Sequence, residues 1–276
     1  MSDAGRPLRL SDRAAIETEL PARARGPAEW YFANLYLFRE RHAYRLHDRP
    51  VAHLRGVTYD GAIHALPLVP LDDAVAEALF ADGVGCLYPL PDRSALAGDW
   101  HFVEADSDYW FDGRAMAEMR FSRLRRDEAS AFAEHHGPCL DAWDAEAAVQ
   151  VLEGWLADVA RPAEATDVTE CREAITLAGD LGLEGAVVRI RAGEPVAFLL
   201  ASACPPATRI VHFAKGRRAF PGAYGWMFAH YARASEAALL NFEQDLGNPG
   251  LAQSKRAFAP IERRPKWRLQ RTERGA

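Results

Sequence analysis

The chain of 276 residues is 49% hydrophobic and 26% charged, with a net charge of −6, a composition that fills a large folded core and excludes disordered, collagen-like and low-complexity classes. No run approaches 18 apolar residues, the N-terminal MSDAGRPLRLSDR lacks a secretory apolar segment, and Cys86, Cys139, Cys171 and Cys204 form no C-x-x-C. The expectation is a cytoplasmic protein with reduced thiols, no transmembrane segment and no zinc ribbon.

In chain order, an aromatic-dense helix is predicted from Glu29 to about Arg41 (EWYFANLYLFRER). Its aromatics encircle too much of the helix for a stacking platform and are assigned to core. VAHLRGVTY and AIHALPLV flank Asp60-Gly61, the signature of a tight hairpin. A helix at about Leu71–Ala81 and an apolar run GCLYPL follow, then a helical stretch from Asp112 to His136 that ends before Gly137-Pro138. The stretch from about Asp141 to Leu183 reads as almost entirely helical. AVVRI, VAFLLASA and RIVHFA then form an antiparallel meander, followed by a helix from about Pro221 to Ala237 and a short strand, ALLNF. The whole is α+β in two halves, with a break near residues 137–165.

Several chemistries are absent. There is no G-x-x-x-x-G-K-[ST], G-x-S-x-G or H-E-x-x-H. Asp106–Gly113 fails as a calcium loop because its glycine is two places late and its twelfth position is Ala117. His135, His136 and Cys139 suit a helix terminus better than a metal site, and no metal is expected. Gly83-Val-Gly85 lacks the third glycine of a dinucleotide loop. No Ser/His/Asp or Cys/His arrangement is evident, which favours direct acyl transfer over a covalent intermediate.

Two stretches in the last third carry chemistry. In RIVHFAKGRRAFPGAYGWMF a strand leads through Lys215, Arg217 and Arg218 to Gly222 and a helix. The unpaired N–H groups of that helix and a side-chain-free Gly222 suit an anion, although a solvated turn has the same pattern. In LNFEQDLGNPGLAQSK, Glu243 and Asp245 at i and i+2 of an extended chain share a face, and two close carboxylates raise one pKa towards a range useful for proton transfer. The bland alternative is that they cap the helix near Pro249 and pair with Lys255. His212, one strand position from the apolar face, is either a base or a half-buried strand histidine. Arg123 and Arg126, with Arg120 and Arg125, either meet an RNA backbone or pair with Asp127 and Glu128. From Lys255 onward eight basic residues face Glu262 and Glu273, so this tail carries +6 and the preceding 254 residues −12; such an edge suits a phosphate-bearing ligand or a solvated terminal strand.

NFEQDLGNPGLAQSK, HFAKGRRAFPGAYGWMF, FANLYLFRER and DSDYWFDGRAMAEM together resemble the C-terminal catalytic domain family of bacterial phosphatidylglycerol lysyltransferases, over roughly Glu29 to Pro260. The resemblance implies two GNAT-like halves in tandem, each a mixed, largely antiparallel sheet flanked by helices: an N-terminal half 1–140, a helical connector 141–183 and a C-terminal half 184–276 carrying the site. It implies Glu243, Asp245 and Lys255 as catalytic residues, with Lys215, Gly222 and Tyr224 at the junction where GNAT folds hold the acyl donor. His212, Arg217 and Arg218 complete the expected substrate-binding set. The function it implies is movement of an aminoacyl group from aminoacyl-tRNA to a hydroxyl or amine acceptor, lipid or small molecule, by direct transfer and with no tightly bound cofactor. Family members carry a membrane domain that this sequence lacks, and Arg218–Ala223 is a distorted version of the coenzyme A-binding R/Q-x-x-G-x-G/A loop. An acyl-CoA-dependent N-acyltransferase and a non-catalytic binding module with a GNAT fold are the alternatives.

Overall fold

The computed structural model describes residues 4–20, 26–93, 96–204 and 207–272; Pro205 and Pro206 of one predicted turn, and Glu273 and Arg274 of the basic tail, lie outside the described residues. Contacts divide the chain into residues 1–108 with 264–276, and Tyr109–Arg263. Neither boundary coincides with the sequence division at 140 and 183, because two strands each give one end to either unit.

The first unit contains β1 (Arg6–Pro7), α1 (Arg13–Glu19), α2 (Phe32–Leu37), β2 (Arg45–His47), β3 (His53–Val57), β4 (Ile63–Pro67), α3 (Asp73–Ala81), β5 (Cys86–Leu90) and most of β6 (Trp100–Asp112). The second holds α4 (Gly113–Ala117), α5 (Arg123–His136), β7 (Cys139–Ala142), α6 (Ala145–Val159), α7 (Val168–Thr176), β8 (Leu183–Arg189), β9 (Pro195–Cys204), β10 (Thr208–Gly216), α8 (Ala223–Ala234), β11 (Leu239–Asn241) and α9 (Pro249–Ala257). β12 (Glu262–Arg271) starts in the second unit and ends in the first.

Both units use one motif: an antiparallel hairpin, a helix, and a strand that returns parallel to the hairpin's second strand. In the first unit this is β3-β4-α3-β5, with β4 and β5 parallel. In the second it is β9-β10-α8-β11, with β10 and β11 parallel. The neighbours β1–β2, β2–β3, β5–β12, β7–β8, β8–β9 and β6–β11 are antiparallel. These are two GNAT-like α+β halves in tandem. The Asp60-Gly61 hairpin forms as predicted, with Gly61 at φ +84°. Burial of Tyr109, Phe111, Phe132, Trp226, Met227 and Phe228 builds the second unit's core, each large side chain contributing about 1.5–3 kcal/mol.

Three predicted helices are shorter than their patterns. The aromatic helix is a single 3₁₀ turn at Ala28–Trp30 followed by α2; the chain beyond reverses through Ala43 at φ +49° to enter β2. Of its aromatics Tyr31 and Phe32 are buried, at 5% and 1% exposure, whereas Trp30, Tyr36 and Phe38 are half-buried. The Asp112–His136 stretch breaks at Met119, φ +55°, and restarts where the Ser122 hydroxyl caps the Arg125 N–H. The helical middle opens with a strand, since residues 139–142 pair with β8 as an edge.

Inside the first unit lies a buried ionic group. Lys266, 1% exposed, places Nζ 2.5 Å from Glu29 Oε1 and 3.1 Å from Asp108 Oδ1. Asp108 accepts the Ala28 N–H at 2.9 Å, and the Tyr88 hydroxyl donates to Asp106 at 2.7 Å and lies 3.4 Å from Glu29 Oε1. Burial pushes the Glu29 carboxyl up to about 7 against the pull of Lys266. Other cations of the tail are also paired within this unit: Arg268 with Asp60 at 2.7 Å and Arg271 with Glu77 at 2.5 Å. Lys266, Arg268 and Arg271 of the tail therefore have carboxylate partners.

Candidate active site

β10 and β11 pair only as far as Ile210 opposite Asn241. Beyond that point β10 stays with β9, whereas the chain after β11 stays with β6: Phe242 donates its N–H to the Tyr109 carbonyl at 3.0 Å and Tyr109 donates to the Glu243 carbonyl at 3.1 Å. The two strands therefore part. At the parting a β-bulge between Val211 and Phe213 puts His212 out of the regular β9 register, a device that re-aims one side chain.

His212 is held on both ring nitrogens. Nδ1 lies 2.7 Å from Glu243 Oε1 and Nε2 lies 2.7 Å from Ser202 Oγ on β9. A carboxylate only accepts, so it fixes the proton on Nδ1 and leaves Nε2 to accept from the serine hydroxyl. The His212 side chain is fully enclosed, and that of Glu243 is 18% exposed.

The acidic loop is not the extended segment the sequence suggested. β11 ends at Asn241, Glu243 sits at φ +57° and Leu246 at φ +54°, so the two carboxylates turn to different partners. Glu243 takes His212. Asp245 accepts the Tyr109 hydroxyl at 2.5 Å and the Gly247 N–H at 3.0 Å. Burial and the Asp245 hydrogen bond push the Tyr109 phenol upward, and the Arg263 guanidinium lies 5.3 Å from its ring centre. Asn248, not either acid, caps α9, accepting from Gly250 and Leu251.

Lys255 is a clamp. Its Nζ donates to the carbonyls of Phe242 at 2.6 Å, Glu243 at 3.2 Å and Gln244 at 2.5 Å. The ammonium thus fixes the loop that carries both acids.

The β10–α8 junction also differs from expectation. Lys215, expected to face an anion, pairs with Asp167 at 2.6 and 2.8 Å and lies 4.2 Å over the Trp155 ring. Arg217 pairs with Asp158 at 2.9 Å, and the same carboxylate accepts the Arg218 N–H at 2.9 Å; the Arg218 side chain is exposed. Tyr224 packs its ring over Gly216, and burial pushes its phenol upward. Gly222, at φ +90°, is required by packing: a Cβ there would lie 2.1 Å from the Glu128 carbonyl oxygen of α5. Gly222→Ala is therefore expected to destabilise the fold by about 2 kcal/mol or more, read as a lowered urea midpoint; an unchanged midpoint would contradict that packing.

The second unit thus brings together His212, Glu243, Asp245 and Lys255 at the parting strands, and pairs Lys215 with the N-terminus of α7 and Arg217 with α6, which Arg218 meets through its backbone N–H. Ser202 and Tyr109 are the residues sequence reasoning missed. The signal for Ser202 was one hydroxyl within the apolar run VAFLLASA. Of the arginines after α4, Arg120 is paired with Glu118, Arg123 with Asp127 at 3.4 Å and Arg125 with Glu128 at 3.0 Å. Among the described residues no cluster of His, Cys, Asp and Glu could hold a metal ion.

The family described as phosphatidylglycerol lysyltransferase, C-terminal, matches residues 99–270. No curated protein matches the chain by sequence. Among solved structures, a conserved Bacteroides thetaiotaomicron protein of unknown function aligns with a TM-score of 0.82 at 18% identity, over 98% of this chain and 99% of its own. The C-terminal domain of a proposed lysylphosphatidylglycerol synthetase from Agrobacterium fabrum gives 0.61 at 13% identity, over 96% and 93%. L-PGS from Bacillus licheniformis gives 0.59 at 14%, over 99% and 95%. These likenesses show the fold, and with the family match they support an acyltransferase-type function. No helix among the described residues is long and apolar enough to cross a membrane. With more than half its length matched, the chain belongs to the phosphatidylglycerol lysyltransferase C-terminal family.

Proposed function

We propose that the chain moves an aminoacyl group from aminoacyl-tRNA to a hydroxyl or amine acceptor, lipid or small molecule, with the reacting carbonyl lodged where β10 and β11 part. The observation that carries this is the His212–Glu243 pair at the parting: a buried imidazole with its proton fixed on Nδ1 by a carboxylate and its Nε2 aimed at a hydroxyl. Such an imidazole takes up a proton from an attacking hydroxyl or amine, and Glu243 stabilises the imidazolium that forms. Asp245, presented by the same clamped loop, adds negative charge that suits the ammonium of an aminoacyl group and disfavours a neutral acyl chain. The acyl-CoA alternative needs cations for a pyrophosphate, and Lys215 and Arg217 already have carboxylate partners.

The test is incubation with radiolabelled aminoacyl-tRNA, a lipid extract and small hydroxyl and amine acceptors, with acyl-CoA in a parallel thermal-shift titration. Label is expected to leave the tRNA and enter an acceptor fraction, with no shift from acyl-CoA. Label that stays on the tRNA, together with a shift from acyl-CoA, would overturn the donor assignment. Unchanged cellular phenotype and ligand binding after Glu243→Gln and Lys255→Ala would favour a non-catalytic module.

A further inference from the structure

We propose that the first unit carries an ammonium-binding site where β4 and β5 part, and that the chain fills it with its own Lys266. The inference goes beyond the transfer reaction and stands whichever donor the second unit takes. β4 and β5 pair at His64 opposite Cys86 and at Ala65 opposite Leu87. Beyond that pair β4 stays with β3 as far as Pro67, and β5 runs on beside β12, with Leu90 opposite Trp267. Tyr88 is therefore the first residue past the last parallel pair, the position that Phe242 holds after Asn241 in the second unit. Its hydroxyl reaches Asp106 at 2.7 Å and lies 3.4 Å from Glu29 Oε1, the oxygen that also holds Lys266 Nζ.

A structural ion pair would need a single carboxylate. Here Glu29 and Asp108 contact the ammonium at 2.5 and 3.1 Å, and Asp106 joins them through Tyr88. Three acids thus converge on one cation in an enclosure where Lys266, Asp108 and His64 are each 1% exposed. Buried ions gain little over well-packed apolar residues, so stability alone does not account for the group. Nor are its acceptors used up. Glu29 Oε2, on a side chain nine-tenths buried, has no hydrogen-bond partner among the described residues. The Arg268 guanidinium is paired with the exposed Asp60 carboxylate. His64, whose ring meets Tyr88 edge-on at 5.8 Å, is kept neutral by burial and brings no rival charge.

The ligand class follows from what Lys266 presents, a primary ammonium with three N–H donors on an unbranched alkyl stem. Truncation to alanine keeps Cβ and removes Cγ, Cδ, Cε and Nζ, which n-propylammonium replaces atom for atom. An untethered ammonium can also turn its donors towards Glu29 Oε2, whereas Nζ turns only within the reach of its own stem on β12. A quaternary ammonium has the charge but no N–H to give, and its breadth does not suit a seat shaped by a lysine. In the wild-type chain the seat is taken. A substrate's ammonium therefore has no place at the parting of the first unit, which leaves it to the parting of the second.

Urea unfolding of Lys266→Ala in n-propylammonium chloride tests the site, since a ligand that binds only the folded chain raises the midpoint with its concentration. The midpoint is expected to rise steadily with n-propylammonium and to stay level with tetramethylammonium chloride at equal concentration. Wild type, and Lys266→Met with an unbranched uncharged side chain in the same space, are expected to show no such rise. Should Lys266→Ala not fold in buffer, refolding in each salt replaces the titration, and native circular dichroism is expected to return with n-propylammonium alone. Equal effects of the two salts on Lys266→Ala, whether a rise, a recovery or nothing, would overturn the proposal. The same rise with n-propylammonium in wild type or Lys266→Met would overturn it too.

Discussion

His212→Ala is expected to lower acyl transfer by ~10²–10⁴-fold, the usual contribution of a positioned general base. The loss falls on kcat rather than KM, because the imidazole acts on a proton in flight and not on the resting donor. Glu243→Gln keeps the shape but can donate to the ring, which favours the wrong tautomer, so a loss of the same order is expected. The two losses should not add: with His212 absent, Glu243 has nothing to orient, and the double variant should resemble His212→Ala. Steady-state kinetics on the four proteins check this. Losses that multiply would mean that the two residues act separately.

The second large effect is on stability. Lys266→Ala is expected to cost about 3–5 kcal/mol in urea unfolding, because removal of the ammonium leaves Asp108 and Glu29 buried beside one another without their cation. Lys266→Ala with Glu29→Gln should recover part of that loss, since one of the two stranded carboxyls is then neutral. The group also makes a pH signature. Folding raises the Glu29 carboxyl from the ordinary 4.5 to about 7, so the folded state binds the extra proton between those values. Its contribution is greatest below about 4.5, declines as pH rises to about 7, and is flat above. Relative to wild type, Glu29→Gln should lose this decline between pH 5 and 7. A midpoint difference independent of pH would show that Glu29 keeps its ordinary affinity for protons.

Local patterns foretold the parts of the fold that local chemistry decides. Asp60-Gly61 fixes a hairpin wherever it lies between alternating strands, and Gly137 stops α5 in a left-handed conformation. The meander of β8, β9 and β10 was visible in its β-branched runs. Glu243, Asp245, His212 and Lys255 were legible as chemistry-bearing residues, but their geometry was not. Period-two alternation assumed an extended loop, and nothing local announces that Lys255 grips three carbonyls or that Glu243 adopts positive φ. Asp167 and Asp158 lie 48 and 59 residues from the cations they pair with, so a sequence window around Lys215 shows bare positive charge where the folded chain has ion pairs. Ser202 is the same case on another strand: its partner is set by sheet register and by one bulge. The division at residues 108 and 263 was not visible in the sequence for a topological reason, because it falls inside β6 and β12.

The most direct measurement is a crystal structure of the protein with a 3′-aminoacylamido-adenosine, an analogue whose amide resists transfer. The account predicts its carbonyl carbon beside His212, between β10 and the loop at residues 242–245, with its ammonium towards Asp245. An analogue seated at the β10–α8 junction, or elsewhere with His212 and Glu243 untouched, would contradict it.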